Sequence, residues 1–135
     1  MKPPIEQSVK FPCSPEALFE MYMDSAKHSA STGAPAKIAR RAGGAFKAFD
    51  GALSGRNLLI IPNRLIVQAW RSTAFKSDDP DSILVLEFSK APGGAMVHMV
   101  HVNVPAQDHQ GVSKGWPKFY WKPWKVYLAS SKGAT

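Results

Sequence analysis

The stretch Trp-Pro-Lys-Phe-Tyr-Trp-Lys-Pro-Trp-Lys-Val-Tyr-Leu, Trp116 to Leu128, decides how the rest of the chain is read. Trp116, Phe119, Tyr120, Pro123, Trp124, Tyr127 and Leu128 recur at i, i+3, i+4, i+7 and i+8, which predicts a wide apolar stripe on a helix of about four turns. Lys118, Lys122 and Lys125 take the other side. With Lys114 and Lys132, five lysines and no acid come after Asp108, so most of the formal net charge of +7 gathers here. The C-terminal lysines suit the negative end of the helix dipole. Trp116-Pro117 serves as helix entry, whereas Pro123 is interior, removes one backbone hydrogen bond and predicts a kink. A helix this apolar on one side must cover something, and a bent one can follow a curved sheet.

The preceding sequence supplies that sheet. Ile5, Gln7, Val9 and Phe11 alternate with Glu6, Ser8 and Lys10, a half-buried strand over 5–11 that stops at Pro12. Ser14-Pro15 reads as an N-cap with proline at the first helical position, and Leu18, Phe19 and Tyr22 come next at helical spacing. Asp24-Ser25 opens a second short helix through Ala30, stopped by Thr32-Gly33 and Pro35. From Lys37 to Val104, strand-like runs alternate with turn signals at Gly43-Gly44, Asp50-Gly51, Pro62-Asn63, Asp78-Asp79-Pro80-Asp81 and Pro92-Gly93-Gly94, a meander of antiparallel strands. Ile66, Gln68 and Trp70 share one side, as do Leu84, Leu86 and Phe88, and Val97, Met99 and His101; these form the concave inner face. Leu58-Leu59-Ile60-Ile61 is apolar on both sides, so its period orients nothing. The fold class is α+β: a curved antiparallel sheet of about six strands around a long C-terminal helix, with two short helices after strand one.

Composition sets the outer limits. At 135 residues and 44% hydrophobic, the chain can build one core without disulfides or metal, so 1–135 is read as a single domain. No run approaches the roughly 20 apolar residues of a membrane-spanning helix, and no signal core comes after Met1-Lys2-Pro3-Pro4. The lone Cys13 has no thiol partner, which fits a reducing compartment; a structural thiol and a cytoplasmic location are the expectation.

Several motifs lose their chemical reading on inspection. Gly111-Val112-Ser113-Lys114-Gly115 matches the G-x-S-x-G frame of a nucleophile elbow, but 105–110 is too polar for the strand that must precede it, and no acid and histidine come after it. Ser113 is therefore read as a turn or helix-cap residue. His98 and His101 stand three apart on a strand and point to opposite faces, and His28 and His109 lie on separate segments, so no metal set assembles. Asp78, Asp79 and Asp81 lack the glycine and glutamate of a calcium loop and read as a solvated turn. No phosphate-binding glycine loop precedes a helix, and no cofactor is expected.

Taken in order, the pieces resemble the helix-grip fold of the START-like (SRPBCC, polyketide-cyclase-like) superfamily and, within it, the family named after the activator of the heat shock protein 90 ATPase. The matching pieces are Ser14-Pro15-Glu16-Ala17-Leu18, Thr32-Gly33-Ala34-Pro35, Gly43-Gly44-Ala45-Phe46, Gly55, Pro62, Val67-Gln68-Ala69-Trp70-Arg71, His101, Pro105, Gly115-Trp116 and Tyr120-Trp121. Asn103 stands where the resemblance leads one to expect glycine. The resemblance implies a sheet gripping the last helix with a cavity between them. It carries over no catalytic residues, because the family is not defined by a shared catalytic constellation. The eukaryotic activator has an additional N-terminal domain for its chaperone, for which these residues leave no room.

The expected site is that cavity: Phe46 and the inner-face residues Gln68, Trp70, Phe88, Met99 and His101, facing Trp116, Phe119, Tyr120 and Trp124 of the helix. An aggregate of rings with a few polar groups suits a small hydrophobic or amphipathic ligand. Gln68 and His101 are either internally bonded core groups or the polar contacts that orient such a ligand. The alternatives are a chaperone-associated interaction module and, with His101 as acid or base, a cyclase or isomerase. The lysines are read as a solvated face rather than a nucleic-acid or membrane surface, because the sheet needs this helix as its cover. On the outer side, Val67, Ala69, Ile83, Val85, Val100 and Val102 suggest a homodimer surface.

Overall fold

The computed structural model describes residues 2–130; Lys132 and the other residues beyond 130 lie outside them, as does residue 1. Strand β1 (Ile5–Phe11) leads into helices α1 (Pro15–Met23) and α2 (Ser25–Thr32), then into strands β2 (Lys37–Ile38), β3 (Ala45–Ala48), β4 (Leu53–Ile61), β5 (Leu65–Ser72), β6 (Ser82–Ala91) and β7 (Gly94–Val102). The order in the sheet is β1-β7-β6-β5-β4-β3-β2, antiparallel throughout, so the first two strands occupy opposite edges and α1 and α2 carry the chain between them. The strand beyond the expected six is accounted for by the two-residue β2.

Local signals behave as the sequence predicts. The Ser14 hydroxyl accepts from the Ala17 N–H at 3.1 Å, the Asp24 carboxylate from the Lys27 N–H at 2.9 Å, and Gly33 closes α2 in the left-handed region at φ 79°. All nine residues assigned to the inner face, from Ile66 to His101, are buried. The Leu58–Ile61 run is oriented by a β-bulge: Asn57 faces Gln68 and Leu59 faces Val67, leaving Leu58 as the extra residue. Two successive leucines therefore look outward.

The closing helix is longer than its apolar stripe. It begins at His109 and passes without a break through α3 (His109–Trp116), a π-helical turn (Pro117–Trp121) and α4 (Lys122–Ala129). Ser113 is thus inside a helix, not in a turn or at a cap. The expected distortion comes from the π turn, framed by Pro117 and Pro123, in which the bonding pattern widens from i→i+4 to i→i+5. The Lys122 N–H reaches the Pro117 carbonyl. Because Pro117 has no N–H for the Ser113 carbonyl four residues back, the Gln7 side chain on β1 supplies one, at 2.9 Å. The same amide accepts from the Trp121 indole N–H at 2.7 Å, tying the helix to the sheet edge.

The π turn also rotates the side chains within and beyond it. Uninterrupted α spacing buries Phe119 and exposes Trp121; in the structure Phe119 is 47% exposed and Trp121 only 4%. The buried rings are Trp116, Tyr120, Trp121 and Trp124, with Trp116 stacked on Trp121 at 5.3 Å and Trp124 against Phe11 at 5.6 Å.

Candidate functional site

Beneath the final helix, the buried polar groups satisfy one another. The Tyr22 hydroxyl donates to Gln68 Oε1 at 2.8 Å, Gln68 Nε2 donates to Asn57 Oδ1 at 2.9 Å, and Asn57 Nδ2 donates to the Ala39 carbonyl at 2.8 Å. A second chain fixes the His101 tautomer. Ser82 Oγ donates to the Trp70 carbonyl at 2.6 Å, so it accepts from His101 Nε2–H at 2.9 Å, and Nδ1 is left to accept from the Trp116 indole N–H at 3.2 Å. Burial, with a smaller contribution from His109, pushes the His101 pKa down to about 3. Both ring nitrogens hold the fold together, and neither is free for a substrate proton.

His28, which sequence reasoning left unplaced, has the same character. Its Nδ1 donates to the Tyr22 carbonyl at 2.8 Å, so Nε2 accepts from the Tyr120 hydroxyl at 3.0 Å. Burial lowers its pKa, although the Tyr22 carbonyl works the other way, and raises those of Tyr22 and Tyr120. His98 lies on the opposite sheet face from His101, where Ser8 Oγ approaches its Nδ1 at 2.7 Å. Asp79 and Asp81 are engaged locally: Asp81 pairs with Arg71 at 2.7 Å and Asp79 accepts from the Lys76 N–H at 2.8 Å. Among the described residues, no three His, Cys, Asp or Glu side chains converge as a metal site.

Free space lies at one end of the grip, in a cavity of about 440 Å³. Its sheet side is made by Trp70 and by Phe49 and Leu53 around the β3–β4 turn, and its helix side by Val112, Trp116, Phe119 and Tyr120. Trp70, Trp116, Phe119 and Tyr120 of the expected site therefore meet there. Phe46, Gln68, Phe88, Met99, His101 and Trp124 do not line it; they are buried in the adjoining packed interior. The α3 wall was hidden in the sequence because it is polar and glycine-bearing. Gly111 and Gly115, one turn apart, both line the cavity, and a Cβ on Gly111 would meet nothing within 4 Å. The missing side chains make the room, which gives the G-x-S-x-G frame a packing role.

Among the described residues no helix is long and apolar enough to cross a membrane. Comparison with known proteins places this architecture. The human activator of 90 kDa heat shock protein ATPase homolog 1 is 30% identical over 114 residues, 83% of this chain and 33% of that protein. The Dictyostelium discoideum homologue is 26% identical over 111 residues, 81% of this chain and 28% of that one. The chain spans about a third of the length of the curated relatives it matches. Among solved structures, an HSP90 activator from Plasmodium falciparum superposes with a TM-score of 0.83 at 23% identity, covering 93% of this chain and 95% of that one. The Aha1 dimer from Colwellia psychrerythraea gives 0.79 at 14%, covering 98% and 100%. Matched from residue 12 to 129 by the model for "Activator of Hsp90 ATPase homolog 1-like protein", and gripping its last helix as these relatives do, the chain belongs to that family.

Proposed function

We propose that this domain is a chaperone-associated interaction module of the Hsp90-activator type, working in the cytoplasm. The observation that carries the proposal is the Plasmodium falciparum protein, described as an HSP90 activator, whose chain is covered over 95% of its length by this fold. The charge supports it: Lys114, Lys118, Lys122 and Lys125 are exposed on a helix that bears no acid from His109 to Ala129, a face suited to an acidic protein surface. Cys13 is the sequence's one cysteine and is a free thiol, which suits a reducing compartment. The test is the ATPase rate of the host's own Hsp90 as this protein is added. A saturable rise supports the reading; no rise, together with no binding by calorimetry, rejects it.

A second reading is favoured by the cavity: a small apolar molecule held between α3 and the β3–β4 turn, with affinity from apolar burial at roughly 25 cal/mol per Å². A Cβ at position 111 meets nothing within 4 Å, so Gly111→Leu is expected to reach into the space and abolish binding of naphthalene, monitored by tryptophan fluorescence. Unchanged binding removes this site.

The outer sheet face supports self-association as well. Leu59, Val67, Val85 and Val100 are register neighbours across β4, β5, β6 and β7, none of them fully buried. Light scattering is expected to show a dimer at micromolar concentration, and a monomer throughout rejects it.

A further inference from the structure

The two edges of the sheet are finished differently. β2 is two residues long and α2 covers it: Ser25 Oγ accepts from the Ile38 N–H at 2.9 Å, and Ser29 Oγ accepts from the Ala36 N–H at 2.9 Å. β1 is seven residues long and pairs with β7 in unbroken register, from Ile5 opposite His101 to Phe11 opposite Ala95. The alternation of an antiparallel ladder decides which of its main-chain groups face outward. The Phe88 N–H bonds to the Arg64 carbonyl on the β5 side at 2.8 Å, so Glu87 and Ser89 bond to His98 and Met96 of β7. Val97 and Met99 then bond to Val9 and Gln7, and the N–H and C=O groups of Glu6, Ser8 and Lys10 point away from the sheet. All three residues are exposed, and among the described residues no hydrogen bond from another segment reaches their main chain. A long, regular edge of this kind is a template for one more strand.

A groove runs beside that edge, with Gln7, Ser8 and Val9 on one side and Trp121, Lys122 and Lys125 of the closing helix on the other. Ser8 meets His98 on the outer face through its hydroxyl, at 2.7 Å, so what it presents to the groove is main chain. The Trp121 indole is pinned to Gln7 Oε1, which fixes an apolar base. The charge has one sign: both lysines are exposed and no acid lines the groove. Three positions apart on a helix, their Cβ atoms are separated by about 5–6 Å, close to the roughly 6.6–6.8 Å between same-face side chains of a strand. Acids at alternate positions of an added strand therefore match both lysines.

A second copy of β1 is a poorer match. Paired across a two-fold axis at Ser8 it sets Glu6 against Lys10, but it also gathers Lys122 and Lys125 of both copies near that axis, with no acid in the groove to offset them. An acidic strand from another protein meets no such repulsion.

We propose, resting on the chaperone-interaction reading above, that the open edge of β1 docks an extended acidic segment of a partner protein. That segment adds an eighth strand through Glu6, Ser8 and Lys10 and sets alternate carboxylates against Lys122 and Lys125. The probe is the capped heptapeptide Glu-Val-Glu-Val-Glu-Val-Glu, added to the full chain, with Kd from calorimetry and amide hydrogen exchange read residue by residue by NMR. The Glu6, Ser8 and Lys10 amides are expected to exchange freely in the protein alone and about tenfold more slowly with the peptide. Only one set of alternate peptide amides faces β1. N-methylation of the valines and of the glutamates, in separate peptides, is therefore expected to weaken binding about tenfold in one case and little in the other, a contrast that charge attraction alone does not produce. Lys122→Glu with Lys125→Glu is expected to weaken binding about tenfold, and a Lys-Val peptide of the same length is expected not to bind. Binding that leaves the three amides unslowed, or that is indifferent to which set is methylated, overturns strand addition. Amides slowed without peptide, increasingly with protein concentration, assign the edge to a second copy and overturn it too. If the peptide does not bind at millimolar concentration the docking edge is rejected, while a rise in the Hsp90 ATPase rate still upholds the interaction reading. Slowed amides with no response from Hsp90 uphold the edge and remove that chaperone as its partner.

Discussion

The two buried histidines make this protein acid-sensitive in a way that surface chemistry cannot. His101 accepts the Trp116 N–H on the one nitrogen a proton would occupy, so protonation needs that bond broken inside a closed interior. Its folded-state pKa, about 3, lies below the ordinary 6.5, so the unfolded chain takes up the proton more readily. The stability this histidine contributes is expected to be full above pH 6.5 and to fall as pH drops toward 3, by about 1.4 kcal/mol per pH unit, with His28 adding in the same direction. Urea midpoints measured across that window are expected to fall steeply, and less so in His101→Gln. Gly55 is constrained for a steric reason instead. A Cβ there would run into the Ala69 carbonyl on β5 and crowd the Phe46 ring, so Gly55→Ala is expected to lower stability by about 1–3 kcal/mol in chemical denaturation. Asn103, where the resemblance led one to expect glycine, sits at φ 62° and donates from its amide to the Asp81 carbonyl at 3.2 Å; asparagine is among the non-glycine residues most tolerant of that region.

At the scale of elements, the Gln7 bridge is the joint between sheet and helix. Gln7→Ala removes both the donor to Ser113 and the acceptor for Trp121, and is expected to destabilise the fold by about 1–3 kcal/mol. Gln7→Glu, which keeps only the acceptor, should fall between. The sequence announced β1 to the residue and the inner faces of β5, β6 and β7, because period-two alternation is a direct imprint of one-sided burial. It concealed the start of α3, where glycines and polar residues carry no stripe, and it left the buried Trp121 off the apolar stripe while giving no sign that Phe119, which lines the cavity, is half exposed, because one wide turn shifts the helical phase and the two prolines mark it without giving its pitch. The candidate site suffered in proportion. Residues read from alternation were placed on the correct face, yet whether a face borders a void or a neighbour depends on α1, α2 and the β3–β4 turn, which no local period records.

For the molecule as a whole, the lysine face and the outer sheet face look in different directions and make separable predictions. If the lysines steer association with an acidic chaperone surface, raising salt from about 50 to about 300 mM should weaken binding severalfold, and Lys118→Glu with Lys122→Glu should do so without changing thermal stability. Self-association through Leu59, Val67, Val85 and Val100 should respond in the opposite sense or not at all, since apolar burial does not weaken with ionic strength. The sheet order has a consequence for how the protein is made. β1 closes the sheet by pairing with β7, Ile5 opposite His101, so within this domain the strand made earliest waits for the strand made latest. The β3-to-β7 meander can zip up hairpin by hairpin as it emerges, while Ile5–Phe11 stays an unmatched apolar ribbon until residue 102 has cleared the exit tunnel, and its Gln7 latch stays open until Trp121 has emerged as well.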